Sequence, residues 1–461
     1  VAAQAAALRP EFRSDLDRAA EWNRYTIRAA IDTDARTLAG RLQLEYTNHD
    51  RVTLDRVYFH LYPNLKDLAG RLDIRAAAVD GQPVPLAYES ARSLLRIDLP
   101  SALPPGAAAV IALDFATRAP ENASRDFYGA FNKENGILSL ASALPIAAIV
   151  RGGAWDIAPI DTKGDLVNSE TALYDVTLSA PADWTLITTG VAVESRRDGG
   201  QQTVRFVSGP QRDFMISAAQ YRLASSDVDG IRVNSWYRPG SEAGGQAALQ
   251  AAAAALRAFN KRYGPYPLRE LDVVEIDART FLGVEYPGLI MIEHRLYGQP
   301  DALAVTVAHE VGHQWWYSQV GNDVQTEAWL DEALASYSQV VYREETAGPE
   351  AAERELDGFR QRYAAIVAAG ADAPVAQRTA DFSNRSYFVL VYGKAVLFVQ
   401  ALRERIGEAA FDRFLHDYYA QHRYGIATGA DLLASANAAC GCRVDDLYDV
   451  WINKAVPVQV P

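Results

Sequence analysis

The feature that most restricts what this chain can fold into is a change of period near Pro239. From Tyr25 to about Val228 the sequence breaks into short segments that alternate apolar and polar residues or are rich in β-branched and aromatic ones: "YTIRAAI", "LAGRLQLEYTN", "LDRVYFHLYP", "LLRIDLP", "AAVIALDF", "LYDVTLSAP", "WTLITTG" and "QTVRFVS". A period of two marks a strand with one buried face. Turn clusters such as "VDGQP", "LPPG" and "RDGG" separate the segments,. "IRVNSWYRP" is the last strand of the run. After it the period lengthens. "SEAGGQAALQAAAAALRAFNKRYG" reads as a helix with Ser241 as N-cap, "ELDVVEI" and "GLIMIEH" as two short strands,. From Asp301 onward helices dominate: "DALAVTVAHEVGHQWWYSQVG", "TEAWLDEALASYSQVVYREE", "PEAAERELDGFRQRYAAIVAAG", "YGKAVLFVQALRERIG" and "EAAFDRFLHDYYAQH". The expected fold is a two-domain β plus α/β chain. A β-sandwich or saddle covers 1–228, and a mainly helical domain with a small sheet covers 229–461. A length of 461 residues accommodates two such cores,.

Composition narrows the function classes. The net charge of −13 argues against nucleic acid as a partner, because phosphate binding needs a basic surface. No run of eighteen or more uncharged apolar residues occurs, so no membrane span is expected. The chain is expected to be a monomer. Its two cysteines stand in "CGC", Cys440 and Cys442. They cannot make a zinc site alone, and whether they are bonded stays open. The first residue is Val1, which favours removal of an export signal and an extracytoplasmic location over a cytoplasmic one.

The chemistry concentrates in "VAHEVGHQWW". His309 and His313 are four apart, so on a helix both imidazoles reach one point from one face. Two histidines so placed supply half of a tetrahedral zinc site, and Glu310 beside them is placed to act as general base toward a water. A hydrolytic zinc needs a third protein ligand and an open position. "TEAWLDEALASY" on the following helix offers Glu332, with Asp331 pointing about 100° away.

"HEVGHQWW" followed by "WLDEALASY" resembles the gluzincin metallopeptidases of the membrane alanyl aminopeptidase and leukotriene hydrolase family. The resemblance implies a β saddle followed by a thermolysin-like catalytic domain, one zinc ion held by His309, His313 and Glu332, and cleavage of peptides with a free amino terminus. It also implies roles for two further segments. In "FLGVEYPGLIMI", Glu285 matches the glutamate that binds the substrate α-ammonium, and Gly283 lets the peptide backbone approach closely,. In "SYFVLVYGKAVLF", Tyr392 matches the tyrosine that donates to the tetrahedral oxyanion, with Tyr387 as its partner at the substrate site,.

The sequence leaves the family pattern at four places. Leu282 stands where a second glycine is common, Val284 where methionine is common, and Gln339 where a glutamate is common on the ligand helix. The chain also ends soon after "DLYDVWINKAVPVQVP", so a more open cleft is expected than in the longer relatives. The expected function is that of a zinc-dependent aminopeptidase. The alternatives are a zinc endopeptidase or epoxide hydrolase on the same fold, or an inactive zinc-containing peptide-binding protein.

Overall fold

The structure, a computed structural model, describes residues 1–122 and 129–455. Contacts between residues divide the chain into two compact units. The first comprises Val1–Pro159, Ser169–Gln246 and Pro267–Gly298. The second comprises Ile160–Asn168, Ala247–Tyr266 and the chain from Gln299 onward. A β-rich unit followed by a helical one is the fold class expected from the change of period.

The first unit is built on an eight-stranded sheet. Its order is Val191–Asp198, Gln201–Val207, Ala172–Pro181, Asn23–Asp32, Thr37–Thr47, Ala108–Arg118, Arg71–Val79 and Gln82–Val84. Alternation decides the faces. Along Asn23–Asp32 the residues Tyr25, Ile27, Ala29 and Ile31 are buried, while the residues between them are exposed,. This strand runs parallel to Ala172–Pro181 and antiparallel to Thr37–Thr47.

The same unit holds two four-stranded sheets, a two-stranded one and a five-stranded sheet in the order Arg222–Val228, Ile231–Tyr237, Glu270–Ile276, Leu289–Glu293 and Gly283–Val284. Residue 228, the expected domain boundary, ends one strand of an antiparallel hairpin whose second strand is Ile231–Tyr237. Ile231–Tyr237 then pairs in parallel with Glu270–Ile276, so backbone pairing is continuous across that position. The short edge strand Gly283–Val284 pairs antiparallel with Leu289–Glu293.

Three helices position the candidate chemistry: α1 (Glu242–Arg262), α2 (Pro300–Gly312) and α3 (Trp329–Ala347). Ser241 precedes α1, but its hydroxyl donates to Glu275 Oε1 at 2.9 Å. Helix α2 ends sooner than the sequence pattern implies. "HQWWYSQVG" is not helix: the N–H groups of Gln314 and Trp315 bond to the carbonyls of Val311 and Gly312, each at 3.0 Å, and Tyr317 has a φ of 124°. The chain turns here to bury both tryptophans. Trp315 Nε1 donates to the Gly264 carbonyl at 3.0 Å, and its ring packs on Phe259, Tyr263 and Tyr266.

The stretch Asn384–Ile406 is long and apolar enough to cross a membrane by length and composition, but 61% of its most apolar window is buried inside the protein. It is interrupted by a π-helical turn at Leu390–Lys394. Cys440 and Cys442 are joined, with their Cα atoms 5.1 Å apart.

Candidate metal centre

The centre lies within the second unit, where α2 packs against α3. Gly312 permits the approach. A Cβ there would stand 2.8 Å from both Cβ and Oγ of Ser338 and 3.3 Å from Ala335 Cα, so any larger residue would push the helices apart. Close packing brings Glu332, in the first turn of α3, against His309 and His313 at the end of α2.

Three atoms then form a triangle. His309 Nε2 and His313 Nε2 are 3.2 Å apart, and Glu332 Oε2 is 3.4 Å from each. A tetrahedral centre with bonds of about 2.0–2.1 Å separates its ligands by about 3.3–3.4 Å. The triangle has the dimensions of one face of a zinc site before any ion is placed in it. The proton count agrees. His313 Nδ1 lies 2.9 Å from the Trp316 carbonyl, which can only accept, so a neutral His313 carries its lone pair on Nε2. Burial keeps His309 from charging, against the pull of Glu332. Burial opposes charge on Glu332 too, but the two imidazoles facing its carboxylate hold it ionised, at about 2. Glu332 Oε2 is buried and faces both imidazole nitrogens at 3.4 Å. Once both imidazoles carry their protons on Nδ1, the three atoms are converging lone pairs, which a cation satisfies.

Glu310 is 4% exposed, and among the described residues its Oε2 has no hydrogen-bond partner. One ligand atom from each of His309, Glu310 and His313 lies within 4.8 Å of the others. That is a looser set than the triangle through Glu332, and it places Glu310 beside the centre rather than on it. Burial pushes the Glu310 carboxyl up to about 8, with Glu332 and Asp165 adding to the rise and His313 opposing it. A nearby dication reverses that balance and favours the ionised base. Asp331, the rejected ligand, has Oδ1 bonded to Asn322 Nδ2 at 2.8 Å.

Tyr392 is brought to the centre by the π-helical turn, an irregularity that re-aims a side chain,. Its hydroxyl donates to Glu332 Oε1, and its ring centroid lies 6.1 Å from that of His309. Burial, with the Glu332 charge, keeps the phenol protonated, so Tyr392 is a donor. Tyr387 is fully buried and packs edge-on against Tyr392, with centroids 6.0 Å apart. Its placement supports Tyr392 and leaves no face for a substrate. Lys394, in the same turn, is fully buried on Asp372 and the carbonyls of Ala373 and Lys454.

Glu285 and Gly283 belong to the first unit. Glu285 is 6% exposed and directly follows the edge strand. Its neighbour Tyr286 meets the Ser142 hydroxyl at 3.1 Å, and Ser142 holds a φ of 51°. Leu282 is 52% exposed. The structure therefore gathers His309, Glu310, His313, Glu332, Tyr387 and Tyr392 in one unit and holds Gly283 and Glu285 in the other.

Sequence reasoning missed the contribution of Ile160–Asn168. This segment comes from the strand-rich half of the chain but belongs to the second unit. Gln325 ties it down: its Oε1 accepts from Asp161 N at 2.8 Å, and its Nε2 donates to the carbonyls of Asp161 and Asp165 at 3.2 and 2.9 Å. Gly164 sits on the Tyr387 hydroxyl, and the Asp165 charge raises Glu310 and both tyrosines. No local pattern signals such a return. The partners of the two imidazoles were also missed, apart from the singular position of Gln339.

A strand-rich unit and a helical unit carrying two histidines, a carboxylate and an adjacent base have the build of a metal-dependent hydrolase. Residues 247–451 match the model of the Peptidase family M1 domain. Among similar proteins, aminopeptidase M1-A of Oryza sativa subsp. japonica is 24% identical over 302 residues, covering 61% of this chain and 34% of the rice protein. Human aminopeptidase RNPEPL1 is 28% identical over 222 residues, covering 44% of this chain and 30% of that protein. The matched stretches thus span about a third of those relatives (34% and 30%). In structure, the chain shares its fold with an M1 zinc metallopeptidase from Deinococcus radiodurans, with a TM-score of 0.72 at 19% identity over 95% of this chain and 94% of the other. A variant of that protein has been solved bound to a Tyr-Ser-Ala substrate, with a TM-score of 0.71 and 20% identity.

Proposed function

We propose that this protein is a zinc-dependent aminopeptidase that releases the first residue of peptides with a free amino terminus. The observation that carries the reading is the triangle of His309 Nε2, His313 Nε2 and Glu332 Oε2, with sides of 3.2, 3.4 and 3.4 Å. These three residues would hold one zinc ion per chain. When bound, zinc supplies a Lewis acid for the peptide carbonyl and lowers the pKa of a water.

The rest is done by side chains. Glu310 takes the proton of the attacking water and returns it to the leaving amine. Tyr392 gives up its bond to Glu332 and donates to the oxyanion as charge develops there,. Tyr387 holds the Tyr392 ring in place. Glu285 pairs with the substrate ammonium, and Gly283 lets the peptide backbone lie close. The naming of the curated relatives as aminopeptidases supports this reading. The Cys440–Cys442 bridge supports an extracytoplasmic location, since disulfides persist in oxidising compartments,.

The test is Glu310→Gln. It keeps shape and hydrogen-bonding capacity but cannot take a proton. Turnover should fall by about 10²–10⁴-fold while zinc content stays at one per chain. A variant that keeps full activity would sink the mechanism.

A further inference from the structure

Zinc binding requires each histidine to present Nε2 as a lone pair and to carry its proton on Nδ1. The two imidazoles are not equally prepared for that. His313 Nδ1 faces the Trp316 carbonyl at 2.9 Å, an acceptor that enforces the required tautomer. His309 Nδ1 faces two groups that can either donate or accept: the Gln339 amide, whose nitrogen is 3.1 Å away, and the Ser336 hydroxyl at 3.4 Å,. Both come from α3, one and two turns after Glu332, so a single helix face supplies a metal ligand and the partners of another ligand,. With its nitrogen toward the ring, the amide supports the tautomer whose Nε2 proton points at Glu332 and closes the site to a cation. A half-turn of the amide presents its oxygen and supports the binding tautomer. Neither described partner of His309 Nδ1 carries negative charge.

We propose that Gln339 is the positioning residue that sets how tightly this site holds its divalent cation. Its neutral, two-faced amide keeps affinity below what an acceptor-only carboxylate at the same position would give. The inference rests on the reading of the centre as a zinc site.

The experiment measures the zinc dissociation constant of the full chain by competition with a chromogenic chelator, for wild type, Gln339→Glu and Gln339→Leu. Glutamate only accepts from Nδ1 and should tighten zinc by about 10- to 100-fold, the range in which partners of ligating histidines act. Leucine removes the amide altogether and should loosen zinc by about tenfold. The thermal midpoints of the three zinc-free proteins should coincide, because the residue acts on the ligand and not on the fold. Equal dissociation constants in all three, or a tighter leucine variant, would overturn the proposal. So would affinity changes that merely follow the zinc-free midpoints. Should the glutamate variant not fold, the leucine variant decides alone. If wild type takes up no zinc at all, the zinc reading itself fails; if it binds zinc and the three proteins rank alike, only the role of Gln339 fails.

Discussion

Replacing Gly164 by alanine probes the least expected part of the site. A Cβ built at Gly164 falls 2.0 Å from the Tyr387 hydroxyl oxygen and 2.8 Å from Cζ. Ordinary contact needs about 3.5 Å, so one side must retreat by about 1.5 Å. Tyr387 has little room, being fully buried among Phe382, Phe388 and Tyr392 with centroids 5.6, 5.5 and 6.0 Å away. The segment can retreat only by straining three bonds to Gln325. Overpacking of this kind costs about 1–3 kcal/mol. Because Tyr392 leans on Tyr387, displacement should also misplace the oxyanion donor and lower kcat/KM by about ten- to a hundredfold. The assay is a double-mutant cycle with Tyr387→Phe, read by thermal unfolding and by kcat/KM on an aminoacyl substrate. Among the described residues the buried Tyr387 hydroxyl finds no well-formed hydrogen bond, so its removal alone should be neutral or stabilise by about 1 kcal/mol. In the Gly164→Ala background it should restore part of both losses. A Gly164→Ala protein with wild-type stability and activity would refute the reasoning, as would a penalty that Tyr387→Phe leaves unchanged.

Asp213 carries a second prediction. Burial raises its carboxyl from the usual 3.8 to about 7, and among the described residues Oδ2 has no hydrogen-bond partner. Its contribution to stability is complete below about pH 4 and is lost as pH rises through 7, by up to about 4 kcal/mol. Asp213→Asn keeps an acceptor for the Phe214 N–H and should flatten stability between pH 4 and 8 in urea titrations; an unchanged pH slope would contradict this. Glu285→Ala should raise KM for substrates with a free amino terminus by about tenfold or more, as expected for loss of a charge-assisted contact, while N-acetylated peptides are handled as by wild type. Equal loss on both substrate types would remove Glu285 from amine recognition.

Much of this was legible in the sequence because the signals are local. The period of two over Asn23–Asp32 reads directly as a buried and an exposed face. The i, i+4 histidines and the carboxylate on the next helix needed only helix geometry. What stayed hidden depends on tertiary packing. The end of α2 at Gly312 is set by where Trp315 and Trp316 find their pockets. The π-helical turn that aims Tyr392 has no sequence period of its own. Ile160–Asn168 joins the helical unit through contacts with Gln325, far away in the chain. The bond between Tyr392 and Glu332 could not be read either, since it depends on the packing of their helices.

The central claim is that a metal held by His309, His313 and Glu332 drives removal of amino-terminal residues. The most direct measurement is the hydrolysis of a panel of aminoacyl fluorogenic substrates, each paired with its N-acetylated form, before and after zinc removal by a chelator and after zinc is returned. The account predicts turnover of the free forms only, loss of that turnover on chelation, and recovery with about one equivalent of zinc per chain. Chelator-resistant turnover, or equal cleavage of the acetylated substrates, would contradict it.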